Sequence, residues 1–230
     1  MAVTDNLFLY ANGTANLAGG TLDAGVIDTT APGGVFNCTS GVLHVGTCKG
    51  SLTNAGASLQ PGHSAGITNV TVDYTQQAAG HLRLEIGGNN NSNPASPQFD
   101  QLNIPGNAPL AGVLWVSLIN NYMPNIGETF PVVQAGAVTG AFSTFVRPVF
   151  AGGRTFRIIQ SAAAVTLEVI AVKPGDMNGD GKVNILDLQL LAQTWNKNLG
   201  AAGYNPTADF NGDGSVNILD LQVMAQNWNT

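Results

Sequence analysis

Charged residues are scarce in this chain. They make up 10% of its 230 residues, well below the roughly 25% of an average globular domain. With a net charge of −6, the chain lacks the basic surface that general nucleic-acid binding requires. Asn, Thr and Ser are abundant instead, together with 29 glycines. This composition favours a β-rich extracellular protein over a cytosolic enzyme.

Long apolar runs are also missing. No stretch reaches the roughly 18 apolar residues that indicate a membrane helix, so we expect no membrane span. The start, MAVTDNLFLY, has neither a basic n-region nor a cleavage signature. If the protein is secreted, we expect this sequence to be its mature part.

Residues 1–173 have the pattern of a β-rich domain without an amphipathic helix. Turn signals such as GG, NG and PG separate four segments in which apolar residues recur with a period of two. The alternating residues are Val70, Val72 and Tyr74; Leu82, Leu84 and Ile86; Leu114, Val116 and Leu118; and Val165, Leu167 and Val169.

The first 60 residues consist of short phrases anchored by glycine. GGTLDAG, GGVFNCTSGVLHVG and GSLTNAGASLQPG each place one or two apolar residues between turns. This texture is typical of the rungs of a β-solenoid. A glycine-rich β-sandwich with long loops would have a similar pattern, so both fold classes remain open here.

The segment 55–145 resembles the passenger regions of autotransporter-associated β-helix proteins. The order GASLQPGHSAG, HLRLEIGG, FDQLNIPGNAPLAGVLWVSL and MPNIGETFPVVQAGAVTGAFSTF carries the resemblance. The matching positions are Asp100, Gln101, Leu102, Gly106, Leu110, Gly112, Leu114, Pro124, Gly127, Phe130, Ala135, Gly136, Gly140 and Phe142. The resemblance implies a right-handed parallel β-helix in a secreted or cell-surface protein, and it indicates no activity.

The C-terminal residues 174–230 contain an internal repeat. DMNGDGKVNILDLQLLAQTWN at 176–196 returns 33 positions later as DFNGDGSVNILDLQVMAQNWN, with 16 of 21 positions identical. All six acidic residues of this tail fall at the first, fifth and twelfth positions of the two copies. A merely solvated acidic face would not show this spacing, so we predict a second domain at 174–230.

Each copy has the spacing of a calcium loop. Oxygen ligands at positions 1, 3, 5 and 12, a backbone carbonyl at 7, a water-mediated ligand at 9 and glycine at 6 match the twelve-residue loop that binds Ca²⁺. Mg²⁺ prefers fewer protein ligands, and transition metals prefer His or Cys, which the tail lacks. We predict two Ca²⁺ ions, held by Asp176, Asn178, Asp180, Lys182, Asn184 and Asp187 and by Asp209, Asn211, Asp213, Ser215, Asn217 and Asp220.

The loops depart from an ordinary EF-hand, because position 12 is Asp and Pro174–Gly175 leaves no room for an entering helix. Only an exiting helix follows each loop, with Leu186, Leu190, Leu191 and Trp195 on one side of the first. This duplicated loop–helix pattern resembles a type I dockerin domain over 174–230. The resemblance implies calcium-dependent binding of a cohesin-like module in two orientations.

The resemblance also implies a partner surface at positions 10, 11, 17, 18 and 22 of each repeat. These residues are Ile185, Leu186, Ala192, Gln193 and Lys197, and Ile218, Leu219, Ala225, Gln226 and Thr230. Many dockerins carry Ser-Thr at positions 10 and 11 and a basic residue near 18. The apolar Ile-Leu pairs leave two further partners open: the protein's own β-domain and a neighbouring copy of the chain.

The chain has only two cysteines, Cys38 and Cys48, and they do not form a CxxC pair. A disulfide fits an oxidising compartment and two buried thiols fit the cytosol; we favour the disulfide because the tail indicates an extracellular location. His44 precedes Cys48 by four positions, but zinc would need a fourth ligand. The sequons at Asn12, Asn37 and Asn69 matter only in a host that glycosylates them.

No catalytic motif accompanies the tail. GxSxG, HExxH and phosphate-loop patterns are missing, and nothing in the sequence marks two acids as the facing pair of a glycosidase. The acids outside the tail are Asp5, Asp23, Asp28, Asp73, Glu85, Asp100, Glu128 and Glu168. We therefore expect a secreted, non-catalytic scaffold whose tail mediates calcium-dependent assembly, either with a cohesin-type partner or with copies of itself into a filament or layer. The alternative is a carbohydrate-active or carbohydrate-binding module that a dockerin recruits to a complex.

Overall fold

A computed structural model describes residues 6–150, 153–205 and 207–229. Asp5 and Thr230, both named above, lie outside these ranges. The strands are β1 Leu7–Phe8, β2 Thr14–Asp28, β3 Val35–Lys49, β4 Leu52–Asn54, β5 Ser58–Pro61, β6 Ile67–Val70, β7 Tyr74–Gln76, β8 His81–Ile86, β9 Gln101–Leu110, β10 Val113–Leu118, β11 Thr129–Gly140, β12 Thr144–Val146, β13 Arg154–Gln160, β14 Ala164–Ala171, β15 Lys197–Asn198 and β16 Ser215–Val216. The helices are α1 Ile185–Gln193 and α2 Ile218–Gln226.

The chain divides into two compact units. The first comprises residues 1–148 and 158–168, and the second comprises 149–157 and 169–230. The domains predicted from the sequence, 1–173 and 174–230, remain a prediction. No helix in the described part of the chain is long and apolar enough to cross a membrane.

A curled, mostly parallel sheet of 14 strands dominates the fold. The long strand β3 lies parallel to β2 along most of its length on one side. On the other side it pairs in turn with β4, β5 and β6. One continuous strand therefore spans three short ones, because the chain bends between them. Toward one edge of the sheet, β14 lies between β11 and β13 and pairs antiparallel with β11.

A ladder of apolar side chains runs through the core of the first unit. Each residue pairs with the next one across adjacent parallel strands, and the four central members are fully buried leucines. The ladder consists of Leu22, Leu43, Leu59, Leu82, Leu114 and Phe145. Burying a leucine side chain contributes about 1.5–3 kcal/mol, so this ladder is a major source of stability.

The predicted alternation is confirmed at most positions, is wrong at Val72, and weakens at Leu118, which is half-buried. The three apolar residues of β8 are buried, as are Val165, Leu167 and Val169. Val72, however, is exposed, because β6 ends at Val70 and β7 begins at Tyr74. The bend between these strands interrupts the period, so Val70 and Tyr74 face the core while Val72 does not.

The predicted disulfide is not formed. Cys38 and Cys48 are both buried free thiols on the single strand β3. They lie ten positions apart on that strand, on either side of Gly41, which has a φ of +89°. Burial raises the pKa of Cys38 to about 11 and that of Cys48 to about 12, which keeps both thiols protonated and unreactive.

Candidate calcium loops and partner surface

The first repeat forms a compact loop around Asp176. This carboxylate accepts backbone N–H bonds from Gly179 at 2.6 Å and from Asp180 at 3.1 Å. A third bond comes from the Gly181 amide at 3.0 Å. Gly181 has a φ of +88°, a conformation that favours glycine. The glycine predicted at position 6 therefore has the turn geometry that such a loop requires.

The acid at position 12 closes the loop from the other side. Asp187 is fully buried, and one oxygen accepts the amides of Met177 at 2.9 Å and Asn178 at 3.0 Å. The other oxygen accepts the Asn184 amide at 2.9 Å. The Asn184 side chain in turn caps α1 by accepting the Leu186 amide at 2.8 Å. Asp187 and Asn184 thus form a capping box that starts the helix.

The second repeat has the same arrangement. Asp209 accepts the amides of residues 212, 213 and 214 at 2.8–3.1 Å. Asp220 is fully buried and accepts the amides of Phe210, Asn211 and Asn217. Asn217 caps α2. The two copies therefore share a local structure as well as a sequence.

One contact distinguishes the second loop from the first. The Tyr204 hydroxyl donates to Asp209 Oδ2 at 2.8 Å, and the residue 33 positions earlier is Ala171, which has no hydroxyl. Desolvation raises the pKa of Asp209, but the bond from Tyr204 and the loop amides outweigh it, so its pKa lies below the ordinary value. The same bond raises the pKa of Tyr204. Sequence reasoning missed Tyr204, since nothing in the repeat marks it.

The side-chain ligands predicted at positions 3 and 5 are exposed in both loops. Asn178 and Asp180 are exposed and bonded side chain to side chain at 3.1 Å, and Asn211 and Asp213 at 2.8 Å. The amide of Lys182 donates to Asp180 Oδ1 and that of Ser215 to Asp213 Oδ1, both at 2.8 Å. The backbone carbonyls of Lys182 and Ser215 are the predicted ligands.

The donor chemistry of the loops fits calcium. Every side-chain ligand is a carboxylate or amide oxygen, which Ca²⁺ prefers. Across the described residues, however, no three His, Cys, Asp or Glu side chains lie close enough together to hold a metal ion. The position-1 and position-12 carboxylates of each loop are turned toward backbone amides. The ligand set therefore remains a prediction.

The eight predicted partner-binding residues are all exposed. Ile185 is 56% exposed and Leu186 52%, and the equivalent Ile218 and Leu219 are 55% and 46% exposed. Ala192, Gln193, Ala225 and Gln226 are exposed on the following turns of the helices. The expected position-22 residue Lys197 is half-buried in β15.

The two repeats bury each other's apolar residues. A shared core contains Val183 and Leu191 from the first copy and Val216 and Met224 from the second, together with Ala208. Trp195 packs against this core, as predicted. Leu190 does not belong to this core, and Leu188 packs against it instead. Leu186 is exposed, as its predicted place on the partner surface requires.

Reciprocal backbone bonds connect the copies. Asn196 donates to the Val216 carbonyl at 2.9 Å, and Asn229 donates to the Val183 carbonyl at 2.8 Å. The donors and acceptors are each 33 positions apart. The turn after each helix therefore pairs with the loop of the other repeat, so that the two copies form one folding unit.

The C-terminal module is thus a tandem pair of loop–helix repeats around one core. Residues 174–229 match the family model described as Dockerin type I domain. Domains of this family bind calcium and cohesin modules, and the proteins that carry them are typically extracellular or cell-surface proteins. No curated protein matches the chain.

Two acids of the first unit, which the sequence did not mark as a pair, line one cavity. Glu85 and Asp100 border a space of about 340 Å³. The Glu85 amide donates to Asp100 Oδ2 at 2.9 Å, and the Gly66 amide donates to Oδ1 at 2.6 Å. Burial raises the pKa of Asp100 to about 8, although these two bonds lower it and the charge of Glu85 adds to the rise.

Proposed function

We propose that the protein is a secreted, non-catalytic scaffold whose tail binds two Ca²⁺ ions and attaches it to a cohesin-type module. The match of residues 174–229 to the dockerin type I family carries this proposal. A dockerin implies assembly through cohesin in general. The repeated loops add two equivalent sets of oxygen ligands, and each ion would neutralise most of the charge of its three carboxylates.

The partner surface in this proposal is formed by the first turns of the two helices. Ile185 and Leu186 form one exposed apolar pair, and Ile218 and Leu219 form the equivalent pair in the second repeat. Exposed apolar side chains that lie together mark interaction sites. Because the two apolar pairs are equivalent, either can face the partner. A substitution in one pair therefore leaves the other intact.

We further propose that the first unit is a parallel β-helix of the autotransporter-associated type. The parallel pairing of β2 with β3, and of β5, β8 and β10 with one another, supports this fold. The sheets of a β-sandwich are antiparallel. A rigid solenoid suits a scaffold because it separates the attachment point from other surfaces.

The partner is tested by measuring binding of the full chain to a type I cohesin module by calorimetry. We expect binding in calcium and none in excess EGTA. The double variant Ile185→Asp/Ile218→Asp should lose about 100-fold in affinity, as expected for central interface residues. Leu199→Asp is the control, since Leu199 is 75% exposed outside both helices.

Binding that persists in EGTA would contradict the calcium dependence, and full binding by the double variant would contradict the proposed surface. If cohesin does not bind and the chain instead self-associates in calcium, the partner is a second copy, and the cohesin proposal is wrong. Sedimentation of the chain alone distinguishes this outcome, because it detects self-association directly.

The number of ions is tested by calcium titration. We expect two binding steps, with one lost in Asp176→Ala and the other in Asp209→Ala. Tyr204→Phe should change only the second site, because its hydroxyl bonds Asp209 Oδ2. A stoichiometry of one ion per chain in the parent protein would argue against two ions.

A further inference from the structure

An open groove lies on the outer surface of the first unit. Alternation in β8 turns Leu82 and Leu84 inward, so that Arg83 and Glu85 face outward. In the parallel register Arg83 pairs with Trp115 and Glu85 with Ser117. These side chains, with His44, Gln60 and Asp100, line the cavity of about 340 Å³. We call it the Trp115 groove.

The groove combines one aromatic side chain with hydrogen-bond donors and acceptors. Trp115 is 38% exposed, and the Arg83 guanidinium lies over its ring, 4.6 Å from the centroid. The guanidinium covers part of the ring, and its N–H groups are donors that a ligand in the groove can meet. Gln60 offers both a donor and an acceptor, and the Glu85 carboxylate offers acceptors. The groove can therefore meet a ligand that carries an apolar face and many hydroxyl groups.

Asp100 anchors the polar end of the groove. It is 2% exposed, and two backbone amides hold its carboxyl in place. Its raised pKa of about 8 leaves it mostly protonated at neutral pH. The charges of Arg83 and Glu85 then balance, which favours an uncharged ligand.

We propose that the Trp115 groove binds a segment of a neutral polysaccharide. Sugar rings present C–H faces to aromatic side chains and hydroxyls to polar ones, and the groove offers both. Its volume lies at the lower end of ligand pockets, roughly 300–1,000 Å³. The site does not involve the calcium loops, so its binding is independent of the proposed cohesin attachment.

Other ligand classes fit less well. A peptide could not add a strand here, because β8 is paired with β5 on one side and β10 on the other. A nucleic acid would need several cations, whereas Arg83 is the one arginine or lysine in the groove and the net charge is −6.

The test uses the full chain in native affinity electrophoresis through gels with soluble xylan, mixed-linkage glucan or polygalacturonate, and depletion by amorphous cellulose. We expect at least one neutral polymer to retard or deplete the protein. Trp115→Ala should weaken this binding about tenfold or more, and Gln60→Ala and Glu85→Gln should weaken it without disturbing the core. Tyr10→Ala is the matched control, since Tyr10 is an exposed aromatic outside the groove.

Unchanged binding in EGTA is expected and separates this site from the calcium tail. No binding to any neutral polymer, equal binding by the Trp115→Ala and Tyr10→Ala variants, or binding to polygalacturonate alone would overturn the proposal. Thermal melting of each variant shows whether it is folded, and the Glu85→Gln variant provides the test if Trp115→Ala does not fold. Release of reducing ends would support the groove as a saccharide site and overturn the non-catalytic part of the proposed function.

Discussion

At the scale of single residues, burial determines the chemistry of the two cysteines. Both thiols lie in the core of the first unit, paired across strands with Leu17 and Ile27. Desolvation favours the neutral thiol, and burial raises the pKa of Cys38 to about 11 and that of Cys48 to about 12. The thiolate, which is the reactive form, is therefore rare at neutral pH.

We expect the native chain to be unreactive toward a thiol reagent such as DTNB at pH 8, because reaction requires an accessible thiolate. After denaturation without reductant, two thiols per chain should react. The unpaired state is contradicted if denatured protein gives no reaction before reduction and two equivalents after it. Mass spectrometry of alkylated protein gives an independent count.

A second residue-scale prediction concerns pH. The pKa of Asp100 is about 8 in the folded chain, against an ordinary 3.8. Between these values the folded state holds a proton that the unfolded state has lost, so the stability contributed by this proton is complete below pH 4 and is lost as pH rises through 8. We expect a slope of up to about 1.4 kcal/mol per pH unit in that window.

The measurement is urea denaturation of the parent and of Asp100→Asn at several pH values. The variant should be less stable at low pH, because its amide has one acceptor oxygen where two backbone amides donate. Its stability should nevertheless fall less steeply with pH. Parallel curves for the two proteins would show that Asp100 does not titrate in this range.

At the scale of elements, a glycine controls how the first repeat packs on the second helix. Gly175 has a φ of +105°. A Cβ placed on it would lie 2.9 Å from Val183 Cγ1 and 3.1 Å from Met224 Cα. Both neighbours belong to the shared core, and the Met224 backbone cannot move without shifting α2.

We expect Gly175→Ala to destabilise the C-terminal module by about 1–3 kcal/mol, the usual cost of overpacking. Gly203→Ala is the matched control. Gly203 also has a positive φ, +81°, but the nearest atom to its added Cβ is Lys197 Cε at 3.8 Å. Thermal unfolding in calcium, followed by tryptophan fluorescence, measures the difference. If the two variants melt alike, backbone strain alone explains the effect and the packing argument is wrong.

The elements themselves could be predicted largely from local pattern. Period-two alternation predicted the buried faces of β8 and β14, and the repeat predicted the helices that begin at Ile185 and Ile218. The alternation did not predict the exposure of Val72, because the bend between β6 and β7 interrupts the period. The capping boxes were also visible in principle, since Asn184 and Asp187 have the spacing of that motif.

The features that could not be predicted depend on the register between neighbouring strands. The local sequence does not indicate that Arg83 lies beside Trp115, because the register of β8 against β10 joins residues about 30 positions apart. The Trp115 groove therefore emerged only from the structure. The disulfide was wrongly expected because the spacing of Cys38 and Cys48 in the sequence does not reveal that both are buried as separate thiols.

At the scale of the whole molecule, the two compact units differ in what stabilises them. The first has a long ladder of buried leucines within a 14-stranded sheet. Within the second, the repeats at 174–229 have a core cluster of five buried residues, contributed by their loops and two nine-residue helices. Small cores are marginal without additional stabilisation. Calcium, which dockerin type I domains bind, would supply it.

We therefore expect calcium to act selectively on the second unit. At 100 times the Kd, each ion would add about 2.7 kcal/mol of stability. Excess EGTA should lower the melting transition that Trp195 and Trp228 report, while the transition that Trp115 reports stays in place. Phenylalanine variants at Trp115, or at both tail tryptophans, assign each transition to its unit.

Calcium should restore the lowered transition, whereas an equal concentration of Mg²⁺ should not, since Mg²⁺ demands stricter octahedral geometry and dehydrates reluctantly. The double variant Asp176→Ala/Asp209→Ala should behave in calcium as the parent behaves in EGTA. If chelation leaves both transitions unchanged, calcium does not stabilise the tail. If chelation shifts both transitions together, the two units unfold cooperatively, and the selective effect argued from their separate cores is wrong.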